Sequence, residues 1–206
     1  VSEIEWLKYS VTHIGEGFED MKWKKAGSLK LAFLTVLLLF FGLIARERLS
    51  GFQFGSIDEK TFSIVPYAVR SIVSFSAWTI GNWAVCTLLD GEGTLRNICI
   101  YSAYSLVPYT AQLYINTLFS HILTGDEKIF MDIVEIVCTV WSMVLVFTAL
   151  KTVHRYSVLK TATAVVLTLF AMFIMLFLLV LFASLLQQIW QFVSAVFTEI
   201  FYRLRT

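Results

Sequence analysis

Asp90-Gly91-Glu92-Gly93-Thr94 sets two carboxylates on a glycine-rich turn between two apolar runs, and three chemistries suit that arrangement. The glycines let the backbone turn sharply and approach a neighbour closely. Asp90 and Thr94 can cap the helix that follows, where acidic groups suit the helix dipole. The loop can equally be a docking knob for a partner, or a weak cation site, although a hard divalent cation wants about six or more oxygens. A second constellation lies inside the apolar runs: Arg70, Asp132 and Glu135. Charge at that depth is costly and pairs or turns inward. Arg70 is therefore expected to pair with Glu135 or Asp132, unless its long stem snorkels outward. Asn82, Gln112 and Asn116 are uncharged polar groups that either join helices by hydrogen bonds or line a solute path.

None of these sets is a catalytic one. His13, His121 and His154 are far apart, and no Ser/His/Asp set, HExxH or phosphate-cradling glycine loop is present. Cys86, Cys99 and Cys138 lack metal-ligand spacing and read as small buried thiols. The residues point to no enzyme, no metal and no cofactor.

The elements that carry these residues are apolar and helical. The chain is 58% hydrophobic and 15% charged, with a mean hydropathy of +0.75, against about a quarter charged in a soluble domain. Five runs are predicted to cross a membrane, at about 29–45, 62–88, 98–118, 129–150 and 161–186. Pro66 sits in the first turns of the second, where it is tolerated. Ala77 and Gly81 allow a close helix neighbour, and Pro108 predicts a kink in the third run. Residues 1–28 place Ile4, Leu7, Val11, Ile14, Phe18 and Met21 on one helical face, interrupted at Gly15 and Gly17. That face either lies on the membrane surface or docks on the protein's own helices. The uncharged run 161–198 would reach about 57 Å as one helix, well beyond a core of about 30 Å. A division at Gln187-Gln188 is expected, with 187–206 as an amphipathic interfacial helix on the outer side. Trp6, Trp23, Tyr67, Tyr156, Trp190 and Tyr202 read as interface anchors.

Lysine and arginine are biased nine to six toward the amino-terminal side, which predicts a cytoplasmic amino terminus and an external carboxyl terminus. Residues 1–28 are too polar for a signal peptide, and the native start is expected upstream of Val1. A net charge of +1 with dispersed basic residues gives no nucleic-acid signal.

Gly81-Asn82-Trp83, the Asp90–Thr94 loop, and Tyr101, Tyr104 and Val107-Pro108-Tyr109 together resemble the Yip1 family of five-span membrane proteins. The segment Gly17-Phe18-Glu19-Asp20-Met21-Lys22-Trp23 resembles the lead-in of bacterial members, except that Ile14 stands where a proline commonly follows the histidine. The resemblance implies an all-α, polytopic fold: a five-helix membrane domain over 29–186 with amphipathic segments at both ends. It also implies an accessory or scaffold role in a membrane complex in the cell membrane. The partners would be other integral subunits, among them ABC transporter permease subunits, together with membrane lipid. A small solute or ion permease and a membrane-shaping protein are the alternatives. On a helix, Tyr101, Tyr104 and Pro108 share one face beside the acidic loop, an expected inter-helix seam or partner groove.

Overall fold

A computed structural model describes residues 2–51, 53–54 and 63–205. Among these residues the chain is helical: α1 (Glu3–Thr12), α2 (Glu16–Trp23), α3 (Leu29–Arg48), α4 (Val65–Ala68), a π turn (Val69–Val73), α5 (Ser74–Leu88), α6 (Leu95–Ser105), α7 (Val107–Phe119), a 3-10 turn (Gly125–Glu127), α8 (Lys128–His154) and α9 (Val158–Arg205). Residues 55–62, where the second span is expected to begin, lie outside the described residues.

From α3 onward these pieces form five rods that alternate in direction: α3, α4 through α5, α6 with α7, α8, and α9. Three of them, α3, α8 with its leading 3-10 turn, and α9, are individually long and apolar enough to cross a membrane. The third rod breaks at Leu106, because Pro108 cannot donate a backbone hydrogen bond. The N–H of Tyr109, freed at that break, donates instead to Ser142 Oγ of α8 at 2.9 Å. The α6–α7 rod thus lies against α3 on one side and α8 on the other, while α5 pairs chiefly with α9. Gly81 lies in that seam, where a Cβ would stand 3.7 Å from the backbone at Thr168 and Met172, an ordinary contact distance that a small side chain also meets.

The amino-terminal segment resolves its two alternatives by docking on the bundle. Ser2 starts α1 with a reciprocal cap, its hydroxyl accepting from Glu5 N–H while the Glu5 carboxylate accepts from Ser2 N–H. The break after Thr12 runs through Gly15 at φ 97°, a conformation that suits glycine. Phe18 and Met21 then enter a core with Ile98, Tyr101, Tyr104, Leu145, Ala149 and Val153. Trp6, Leu7 and Val11 pack at its edge, whereas Ile4 and Ile14 remain exposed.

Two expectations are corrected. The carboxyl-terminal run does not divide at Gln187-Gln188: α9 is one helix of 48 residues. The length argument called for a break, but the run contains neither glycine nor proline, and glutamine is a good helix former. Among the expected anchors, Trp23, Trp190 and Tyr202 are exposed, while Tyr67 and Tyr156 are buried as core residues.

Candidate functional site

The acidic loop folds down onto the joint between α8 and α9 and ties together four parts of the chain. Thr94 caps α6, its hydroxyl accepting from Asn97 N–H at 3.3 Å. Asp90 does not share that role. It takes a left-handed φ of 56° that ends α5, with Gly91 N–H donating to Cys86 C=O at 2.7 Å. Gly91 and Gly93 lie directly against the joint. A Cβ on Gly91 would collide with the His154 ring and the Tyr156 hydroxyl, and one on Gly93 with His154 and Val153. Only a residue without a side chain fits at either place.

His154, the last residue of α8, is the hub. Gly93 N–H donates to its Nδ1 at 3.3 Å, so the ring proton belongs on Nε2, which faces Asn82 Oδ1 at 3.2 Å. Asn82 Nδ2 donates to Thr168 Oγ1 at 3.2 Å, and that hydroxyl donates to Ala164 C=O at 2.7 Å. One directed chain therefore runs from the loop through α8 and α5 into α9, with His154, Asn82 and Thr168 all buried. Tyr156 stacks on His154 with ring centroids 5.2 Å apart, and its hydroxyl lies 3.1 Å from both the Cys86 and Leu89 carbonyls at the end of α5. Burial, with Cys86 and Asp90 nearby, pushes the Tyr156 pKa up to about 12, so its hydroxyl remains a donor.

Charge closes the outside of the joint. Lys22 donates to the Thr152 and Val153 carbonyls, both at 2.9 Å, completing the end of α8 where cations suit the dipole. Glu92 stands 3.5 Å from Lys22 Nζ and 3.2 Å from Arg155 Nε. Burial and the Arg155 charge lower the Lys22 pKa, with Glu92 opposing that shift. Asp90 and Glu92 thus differ: both are exposed, but of the two only Glu92 forms ion pairs among the described residues, with Lys22 and Arg155.

The other predicted sites are rearranged. Glu135 does pair with an arginine, but with Arg46 rather than Arg70: two bonds of 3.0 and 2.7 Å join the end of α3 to α8. Arg70 and Asp132 are exposed, and Arg70 sits in the π turn beside a largely apolar cleft of about 330 Å³. The π turn itself rotates the helix register and left no cue in the apolar pattern. Tyr101 and Tyr104 are not open to a partner, because α2 covers them. Phe18 packs on Tyr101 at 5.6 Å, and Ser28 N–H donates to the Tyr104 hydroxyl at 3.1 Å. Pro108 is half-buried at the break of the third rod. Of the seam and the groove, the structure has the seam. Asn116 joins α7 to α8, its Nδ2 donating to Met131 C=O and, within α7, to Gln112 Oε1, each at 3.2 Å.

No curated protein and no solved structure matches the chain. The profile of the Yip1 domain matches residues 8–197, a span that includes the second half of α1, all of α2, the glycine-rich clasp and most of α9. The chain belongs to the Yip1 family of membrane proteins.

Proposed function

We propose that the protein is a non-catalytic accessory or scaffold subunit of a membrane assembly. The supporting observation is the second half of α9. From Phe177 to Tyr202 the helix is exposed on every side, and its surface is built from residues such as Phe182, Leu186, Trp190, Val193 and Phe197. Over 177–186 that surface is apolar on nearly every side, and over 187–203 Ile189, Val193, Val196, Phe197 and Ile200 form an apolar face opposite Gln187, Gln191, Ser194 and Thr198; lipid or protein must cover the apolar part. At about 72 Å, α9 is also more than twice the hydrocarbon thickness, so lipid of one bilayer covers only part of it, and we assign the apolar face of the remainder to another subunit. The clasp at the opposite end holds the bundle as a fixed base from which α9 projects.

The partner class favoured is a bacterial ABC-type importer, and this rests on resemblance to bacterial relatives alone. The basic bias toward the amino-terminal side favours a cytoplasmic amino terminus in the cell membrane. Gentle solubilisation of native membranes, followed by affinity capture and mass spectrometry, tests the reading. An integral membrane companion at equal abundance, lost on Trp190→Ala with Phe197→Ala, is expected. A protein captured alone, in the same yield with and without those substitutions, would reject it.

A further inference from the structure

Where α2 crosses the end of α8, a cleft of about 460 Å³ opens beside the clasp. Lys22, Lys151 and Arg155 line it, with Glu19 as the carboxylate on the facing wall. The three cations are engaged to different degrees. Lys22 is held by two carbonyls and Glu92. Arg155 gives Nε to Glu92 and lays its guanidinium over the exposed Trp23 ring at 5.4 Å. Its two terminal nitrogens have no hydrogen bond among the described residues, and Lys151, which is exposed, has no ion pair among them. A planar guanidinium fork beside a free ammonium is well suited to a phosphate group.

The same face of α8 continues away from the cations as Thr148, Val144, Trp141 and Val137. The last three are 41, 39 and 54% exposed, so they form an open apolar stripe rather than core. The last turn of α1 borders that stripe, with the Trp141 indole N–H donating to Val11 C=O at 3.1 Å. Val144 to Lys151 spans about 10 Å along the helix. One helix face therefore passes, within the length of a single lipid, from apolar to hydroxyl to cationic, with Trp23 at the level where indoles favour the membrane boundary.

We propose that this cleft binds the phosphodiester headgroup of an anionic membrane phospholipid, held by Lys151 and Arg155, with Lys22 adding charge behind them. One acyl chain lies along Val144, Trp141 and Val137. Bound there, the lipid bridges α2 and α8 and reinforces the clasp.

The test uses the full chain purified in mild detergent, with native mass spectrometry and thermal unfolding in the presence of phosphatidylglycerol, phosphatidylcholine or soluble glycerol phosphate. Phosphatidylglycerol is expected to be retained and to raise the unfolding temperature more than phosphatidylcholine. Lys151→Gln, which breaks no intrachain bond, is expected to weaken retention about fivefold, the scale of one cation at an anionic surface. Lys151→Arg restores it, and Lys151→Gln with Arg155→Gln weakens it further. Equal retention of the two lipids, or unchanged retention by Lys151→Gln, would overturn the site. Stabilisation by glycerol phosphate equal to that by the lipid would overturn its assignment to a membrane lipid.

Discussion

At the scale of single residues, the clasp depends on groups whose replacement leaves a buried neighbour unsatisfied. His154→Ala removes the acceptor of Gly93 N–H and the donor to Asn82 together. It is expected to lower unfolding stability in detergent by about 1–3 kcal/mol, and a variant as stable as the parent would show that the chain of bonds holds nothing. Glu92→Gln touches an exposed pair and is expected to cost at most about 1 kcal/mol. For the second arginine, a double-mutant cycle is decisive: Arg46→Leu and Glu135→Gln are expected to couple, whereas Arg70→Leu and Glu135→Gln add independently. Coupling of Arg70 would contradict the pairing found here. Asp90–Thr94 stood out in the sequence because its glycines and carboxylates are contiguous. His154 did not, because its partners Gly93, Asn82 and Thr168 are distant in the chain and meet only when four elements pack. Arg46 was missed for a related reason: it lies just past the end of the first apolar run, while Arg70 lies inside the second and so drew the pairing with Glu135.

At the scale of elements, local chemistry and sequence pattern agree where a single residue forces the outcome. Pro108 breaks the third rod, and Gly15 separates α1 from α2. The apolar face of residues 1–28 was legible, but a membrane surface and a protein groove ask for the same spacing, so periodicity could not choose between them. The docking decides it through Phe18 and Met21, both fully buried. Phe18→Ala is therefore expected to cost about 3–5 kcal/mol and to speed protease cleavage at Lys24 and Lys25 as α2 lifts from α6 and α8. Cleavage at the parent rate would place these helices elsewhere. The same docking weighs against the membrane-shaping alternative, since the amino-terminal helices direct Phe18 and Met21 inward.

At the scale of the whole molecule, the bundle is anchored at one end and unaccompanied along the second half of α9. Its continuity through Gln187-Gln188 is measurable: spin labels at Phe170 and Trp190 are expected about 30 Å apart along a straight helix, and a distinctly shorter distance would restore the break. The proposed place in a larger membrane assembly rests on this closed base and on the exposed apolar face of α9 that projects from it. Photo-cross-linking in native membranes tests that most directly, with the probe placed at Trp190, Val193 or Phe197 and a control at the outward-facing Phe33 of α3. The account predicts a discrete protein adduct from α9 positions and none from Phe33. Lipid adducts alone from all four positions would contradict it.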